Sequence, residues 1–317
     1  MTNKIRLHKY VSEYLRKNNL DYTNSDIQKN IQKHGVMINQ DYMFNRLEWI
    51  FMGEKIDVSH WPKRDHGPFE EIKVIFYNSN LLLVFKPKGV VTEAGAGHTE
   101  QNLVSYLQLT LGKKNEQFMP VHRLDKDTQG LIIIAKNEQA HKVLQDKFRE
   151  RNVIKKYLTI LDGKLDQSIR VVAWQSRNLG NPLKQVLFWS EEEAKSYSPL
   201  AREAESIFRS IAFCTESNQT LVEVEIKTGR MHQIRLQAEA IGLPIRNEKV
   251  YNTKVSLKKL QAVETILQEK EVIEISESEM EEKAEYIFNN SGSFLLCNYL
   301  KIQDLDDGIL SYQLKNI

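Results

Sequence analysis

The stretch Val121-His122-Arg123-Leu124-Asp125-Lys126-Asp127-Thr128-Gln129-Gly130-Leu131-Ile132-Ile133-Ile134-Ala135 decides how the chain is read. A polar run dense in ionisable side chains empties into five apolar residues, the pattern of a buried strand. A buried strand holds its backbone firmly, so a carboxylate just ahead of it is fixed in space, as a nucleophile or base requires. Gly130 allows the tight turn between the two halves. The plainer alternative is a polar turn in which Asp125 or Asp127 caps the chain and Arg123 is solvated.

Outward on the C-terminal side, Glu138 to Arg149 carries Val143, Leu144 and Phe148 inward on a predicted helix. Lys155-Lys156-Tyr157-Leu158-Thr159-Ile160-Leu161 alternates as a strand that Gly163 ends. An aromatic preceded by two lysines can stack on a base while the cations hold phosphates; an ordinary strand tyrosine looks the same. The strand Thr220 to Ile226 leads into Thr228-Gly229-Arg230-Met231-His232-Gln233-Ile234-Arg235, with Ile234, Ala238 and Ile241 at helical spacing. A helix therefore begins at the Gly229 turn. Arg230, His232 and Arg235 lie in or near its first turn, where backbone N–H groups favour anions. They can hold a phosphate or neutralise a carboxylate, or simply stand exposed at a helix start.

Outward on the N-terminal side, Gln101 to Leu111 reads as an amphipathic helix through Leu103, Val104, Leu107 and Leu111. Before it a hairpin, Ile72 to Phe76 and Leu81 to Phe85, turns at Asn78-Ser79-Asn80 and closes on Lys86-Pro87-Lys88-Gly89. Two lysines at a strand end are expected to be exposed, with phosphate binding as the alternative. The Pro- and charge-rich stretch from Trp61-Pro62 onward is a linker, placed at 62–71. Residues 1–61 form a separate small module. Ile5, Leu7, Val11, Tyr14 and Leu15 recur at helical spacing, and Thr23 or Ser25 can cap a second helix carrying Ile27 and Ile31. Gly35 ends that helix, Val36 to Asn39 is a short strand, and Gly53 to Val58 supplies another turn and strand.

At 317 residues, 41% hydrophobic and 27% charged, the chain is long enough for more than one domain of ordinary globular type. Cys214 and Cys297 lack paired spacing, so neither a zinc site nor a disulfide framework is indicated. No apolar run reaches membrane-spanning length and no signal peptide opens the chain, so a cytoplasmic protein without membrane contact is expected. Net charge is +2, but between Asn252 and Ser291 nine glutamates oppose five lysines; that −4 leaves +6 on the remainder. A modestly basic body with one acidic appendage suits a polyanionic partner.

These stretches together resemble the RluA-like family of pseudouridine synthases, RNA uridine isomerases. The family's His-Arg-Leu-Asp-x-x-Thr-Ser-Gly is met at His122, Arg123, Leu124, Asp125, Thr128 and Gly130. Its Gly-Arg-x-His-Gln-Ile-Arg is met at Gly229, Arg230, His232, Gln233, Ile234 and Arg235, its Lys-x-Tyr at Lys155 and Tyr157, and its Lys-Pro-x-Gly at Lys86, Pro87 and Gly89. Residues 1–61 resemble the S-four-type RNA-binding module through Ile27-Gln28-Lys29, Gly35 and Val36-Met37-Ile38-Asn39. Asn24 there replaces the arginine usual before the helix, and Asp26 adds a negative charge, which implies fewer phosphate contacts.

The resemblance implies an α+β fold: a mixed, largely antiparallel sheet with flanking helices over 72–317, interrupted by an acidic helical insertion near 253–290, plus the small αβ module. It also implies the chemistry. Asp125 would be the catalytic carboxylate attacking the ribose or the uracil ring, Arg235 would pair with it and keep it ionised, and Tyr157 would stack on the uracil and assist proton removal. Arg123 would fill the gap left by a flipped-out nucleotide. Arg230 and His232, with His122, Gln233 and Thr128, would shape the pocket or contact RNA. Neither metal nor cofactor is implied. The RNA is ribosomal, of the large subunit, in preference to transfer RNA, and the protein a monomer.

Four departures from the pattern stand out. Gln129 occupies the usual serine position, close enough to Asp125 to alter substrate fit. Gly-His-Pro-Ile-Val-Gly-Asp-x-x-Tyr becomes Gly242-Leu243-Pro244-Ile245-Arg246-Asn247-Glu248-Lys249-Val250-Tyr251, which suggests a remodelled loop. The Leu-His-Ala strand reappears only as Leu296-Cys297-Asn298, and Gln175 to Arg202 is atypical. Two alternatives remain at this stage. One is a magnesium-dependent phosphatase, because Asp125-Lys126-Asp127-Thr128 imitates an Asp-x-Asp-x-Thr nucleophile, although there the apolar strand precedes the first Asp. The other is a non-catalytic RNA-binding or ribosome-assembly factor of the same fold.

Overall fold

A computed structural model describes residues 4–18, 22, 24–61, 67–94, 102–112, 116–251, 263–265, 272–288, 295–303 and 309–314. The chain divides into two units, Met1–Gly67 and Pro68–Ile317.

The first unit runs β1 (Lys4–Arg6), α1 (Leu7–Lys17), α2 (Asn24–His34), β2 (Val36–Ile38), β3 (Asp41–Met43), β4 (Trp49–Phe51) and β5 (Ile56–Asp57). Leu7, Val11 and Leu15 of α1 meet Ile27 and Ile31 of α2 in one core, as their helical spacing requires. Ser25 lies inside α2 and so is not its cap; Thr23 lies outside the described residues. Gly35 closes α2 at φ +71°, a left-handed conformation open to glycine. The two pairs β1–β4 and β3–β2–β5 are antiparallel.

The second unit opens on a 3-10 turn, Gly67–Glu71, whose Phe69 packs on the core, so the second half of the predicted linker has regular structure. Residues 62–66 lie outside the description. Next come β6 (Lys73–Tyr77), β7 (Leu81–Lys86), α3 (Leu103–Leu111), β8 (Met119–Pro120), β9 (Gln129–Ala135), α4 (Glu138–Arg149), β10 (Val153–Asp162) and β11 (Ile169–Arg177). They are followed by β12 (Gln185–Phe188), α5 (Glu191–Tyr197), β13 (Arg202–Cys214), β14 (Gln219–Ile226) and α6 (Gln233–Ala240). The unit ends with β15 (Val263–Thr265), β16 (Ile273–Ile275), α7 (Glu277–Phe288), β17 (Leu295–Gln303) and β18 (Ile309–Gln313). Asn102 and Asn137 cap α3 and α4 with their side-chain oxygens.

The main sheet runs β12-β11-β13-β14-β10-β17-β9-β7-β6, antiparallel along this path except between β17 and β9. The architecture is α+β. All seven residues of β9 are buried, and Leu131, Ile132, Ile133 and Ile134 have no exposed surface. Each such side chain contributes about 1.5–3 kcal/mol by leaving water, which anchors the loop ahead of it. Gly130 does more than turn the chain. At φ +120°, a Cβ there would lie 2.3 Å from the Cys297 carbonyl oxygen, so its bare backbone is what lets β17 lie against β9.

The acidic segment expected to be helical is helix only at α7 among its described residues. Val263-Glu264-Thr265 and Ile273-Glu274-Ile275 join the sheet as β15 and β16, beside β11 and β13. Both triplets begin with a β-branched residue, and Ile273-Glu274-Ile275 alternates apolar and polar, a strand period that nine glutamates obscure in a reading by composition. On α7, Met280, Ala284 and Ile287 pack against Leu158, Ile160 and Leu296. The rest of that segment (252–262, 266–271 and 289–294) lies outside the described residues.

Candidate active site

Asp125 stands in the loop that enters β9, and the loop is pinned from beneath. Lys86 has no exposed surface and donates to the carbonyls of Pro87 (3.0 Å), Val90 (2.8 Å) and Lys126 (3.4 Å). The Gly89 N–H reaches the same Lys126 carbonyl at 2.8 Å. The Thr92 hydroxyl donates to Leu124 O (2.9 Å) and accepts from Leu124 N (3.2 Å). The expectation of an exposed Lys86 is therefore wrong: the lysine spends all three protons on loop carbonyls. Burial drives its pKa down to about 7, against the pull of Asp125 and Asp127. Within the loop, buried Thr128 donates its N–H to Asp125 O at 3.1 Å.

His122 turns inward rather than toward a substrate. Its Nε2 accepts the Ile133 N–H at 3.1 Å, and its ring stacks on Phe148 with centroids 4.8 Å apart. Burial, helped by the charge of Lys155, lowers its pKa to about 3, so the imidazole is neutral and braces β9. Gln233 is likewise spoken for. Its Oε1 accepts from the Thr228 hydroxyl (2.7 Å) and Arg230 N–H (2.9 Å), and its Nε2 donates to Glu205 O (2.9 Å) and Ser206 Oγ (2.8 Å). Those four bonds exhaust the amide and tie the Gly229 turn to β13. The motif shows that these two residues matter, but not that they face inward.

Tyr157 comes from β10. In register it lies opposite Cys297 of β17, which in turn lies opposite Gly130 of β9, so the tyrosine and the Asp125 loop are one strand apart. Tyr157 is hydrogen-bonded to Cys297, and its pKa is raised well above the usual value, by burial first and then by Cys297 and Asp125. Burial pushes the Cys297 thiol up to about 12. Both groups are protonated at neutral pH.

The third wall is the turn before α6. His232 occupies the N-cap in the left-handed conformation (φ 57°) and points Nε2 at Asp125 Oδ2, 3.9 Å away, beyond hydrogen-bond length. Its Nδ1 meets the Tyr251 hydroxyl at 2.9 Å, and that hydroxyl accepts from Gln185 N–H at 2.8 Å. Burial lowers the His232 pKa despite Asp125, so this imidazole too is neutral.

Arg235 corrects the expected pairing with Asp125. Its guanidinium grips Glu248 with two bonds of 2.7 Å and lies 5.3 Å from the Tyr251 ring centre. Burial opposes both charges, yet their mutual hydrogen bonds dominate: the Arg235 pKa is raised and that of Glu248 lowered. Asp125 feels Arg235 through space rather than by contact. Glu248 and Tyr251 are functional residues that sequence reasoning missed. The signal was present in the acid and tyrosine kept at the end of the altered 242–251 loop. Gln129, expected to lie close enough to Asp125 to alter substrate fit, is buried and donates to Ile287 O of α7 at 3.4 Å.

A cleft of about 960 Å³ joins these walls, lined by Asp125, Tyr157, His232 and Arg235 among others. Arg123, with a side chain 73% exposed, pairs with Glu93 at 3.5 Å on the same lining. Arg230 donates Nε to Glu203 O at 2.8 Å, and burial and its neighbours Arg151 and Arg202 lower its pKa.

A family model for RNA pseudouridylate synthase matches residues 80–240, just over half of the chain. The chain belongs to that family. A Bacillus subtilis protein named as an uncharacterized RNA pseudouridine synthase is 29% identical over 198 residues, 62% of each chain. The ribosomal large subunit pseudouridine synthase C of Rickettsia felis is 33% identical over 182 residues, 57% of this chain and 56% of that one. The match thus spans about three fifths of these curated relatives. Among solved structures, human RNA pseudouridylate synthase domain containing 1 superposes with a TM-score of 0.55 at 18% identity, over 80% of this chain and 86% of that one, a likeness of fold. Among the described residues no helix is long and apolar enough to cross a membrane.

Proposed function

We propose that this pseudouridine synthase family member isomerises uridines in RNA, with Asp125 as the attacking carboxylate. The observation that carries the reading is the placement of one carboxylate, 30% exposed and braced from below, in an open cleft walled by Tyr157 and by the Arg235–Glu248 pair. Chemistry on a stacked base requires the nucleotide to leave the stack, and the exposed Arg123 at the cleft is suited to fill the gap. Asp125 attacks ribose C1′ or the uracil ring, the N1–C1′ bond breaks, the base turns, C5 bonds to C1′, and the bond to the Asp125 carboxylate breaks to free it. The C5 proton leaves to solvent and N1 takes one, so the product is an isomer. A tyrosine kept protonated at neutral pH suits stacking on the uracil better than accepting that proton, and we assign Tyr157 the stacking role. Arg235 contributes a fixed positive field near Asp125, held in place by Glu248.

Large-subunit ribosomal RNA is the substrate we favour, because relatives carry that name and the sequence of residues 1–61 resembles the S-four-type module. The protein would act as a monomer in the cytoplasm. Pseudouridine maps of ribosomal RNA from cells with and without the protein test this. At least one mark should disappear on deletion, return with the wild-type gene and stay absent with Asp125→Asn. Identical maps in all strains refute the proposal.

A further inference from the structure

The reaction as described uses Asp125, Tyr157, Arg235 and Arg123, and leaves other cations of the cleft without a task, Lys155 among them. Lys155 lies two residues before Tyr157 on β10 and lines the same cleft. Its ammonium is lodged between the Phe148 ring, 5.3 Å to the centroid, and the bare backbone of Gly229, where an added Cβ would come within 3.3 Å of Nζ. Its neighbour Lys156 pairs with Glu223 at 3.0 Å, whereas Lys155 forms no ion pair among the described residues. Phe148 and Gly229 also line the cleft, so the opening between them is where the ammonium can meet a ligand.

Desolvating an ammonium is costly unless an acceptor compensates it, and none pairs with it among the described residues. The cost registers in a lowered Lys155 pKa. The groups around it are His122, held neutral, and the protonated Cys297. Arg151 and Arg230 line the same side of the cleft. Arg151 is paired with Glu203 at 3.3 Å, and its charge still depresses Arg230. Crowded cations with few acids are the arrangement of a site that awaits an anion.

We infer that Lys155 is the phosphate anchor of the substrate nucleotide, its ammonium holding a non-bridging oxygen of the phosphodiester beside the flipped-out uridine. Two residues along a strand is about 7 Å, the order of the distance from a base to its own phosphodiester. With the uracil on Tyr157 and the ribose near Asp125, the backbone of that nucleotide falls toward Lys155. Gly229 provides the room: any side chain there would crowd the ammonium. The role is substrate positioning, and it rests on the reading of the cleft as a nucleotide pocket.

Binding of a fluorescein-labelled oligouridylate 12-mer, followed by anisotropy across a KCl series, tests the anchor without relying on activity. Lys155→Met should bind about tenfold more weakly at low salt, and its plot of log affinity against log salt should be shallower by about 0.7, one single-strand phosphate contact. Lys155→Arg should restore the slope. Lys155→Gln is the second neutral variant should Lys155→Met melt early. In parallel, release of the C5 proton from unmodified, transcribed large-subunit ribosomal RNA should show a raised half-saturation in the neutral variants. An unchanged slope overturns the anchor, whether affinity is also unchanged or activity is lost; the second outcome would place Lys155 on an uncharged base atom or in packing alone. If the neutral variants show the slope change but wild-type protein releases no proton, the isomerase reading falls and the anchor stands.

Discussion

The two faces of β10 and β17 are made by the same residues in alternation and are ordered by opposite means. On the cleft face, Tyr157 and Cys297 meet the Asp125 loop, and polar groups are fixed by bonds to named partners: Lys86 by three carbonyls, Gln233 by four groups, Arg235 by Glu248. On the back face, Leu158, Ile160 and Leu296 meet Met280, Ala284 and Ile287 of an acidic helix whose Glu281 pairs with Arg246 at 2.6 Å. The cleft face depends on individual hydrogen bonds and tolerates little; the back face depends on apolar area and should tolerate anything of similar size.

The sharpest way to break this contrast is at Arg235. Arg235→Met strips the guanidinium from Glu248, 4% exposed and otherwise held by the Val250 and Tyr251 N–H groups, and should cost roughly 3–5 kcal/mol in chemical denaturation along with at least ~100-fold in activity. Adding Glu248→Leu should recover most of the stability and none of the activity. If the double variant is active, the guanidinium has no catalytic part. Next in size is Met280→Ala on the back face, which should cost about 2–5 kcal/mol while kcat/KM of the folded protein stays within about twofold. A large fall in kcat/KM would mean that the two faces are coupled.

A third, smaller effect is read by pH. His122 has a folded pKa of about 3 against an ordinary 6.5, so the unfolded chain binds the proton first. Its stabilising effect is complete above pH 6.5 and is lost progressively as pH falls toward 3, on the order of 1–2 kcal/mol by pH 5. Denaturation midpoints between pH 5 and 8 should show this slope, and His122→Gln, which keeps an acceptor for Ile133 N–H, should flatten it. The smallest effect belongs to Gln129→Ser: loss of one bond to Ile287 O, below about 1 kcal/mol, with the uridine selected unchanged. A change in the modified site would return Gln129 to the cleft face.

The same contrast explains what could be read beforehand. β9, α4, β10 and α6 were legible because periodicity and caps are local, and so were the two motif turns. Lys86 was misjudged because its burial depends on a loop 40 residues away. The partner of Arg235 was misjudged because an acid that binds 13 residues downstream leaves no periodic trace. His122 and Gln233 stand out in the motifs as candidate RNA contacts, and only the fold shows that they look inward. Nor could spacing show that Leu295–Gln303, beyond the acidic segment, is the strand that separates Tyr157 from the Asp125 loop.

That last arrangement ties the enzyme's competence to the order in which it is made. The strand carrying Cys297 leaves the ribosome after both residues it aligns, so a nascent chain holding Asp125 and Tyr157 already has its reactive groups but no frame to space them. On the proposed reading, a chain truncated before Leu295 should therefore release no C5 proton from RNA, although it contains both residues.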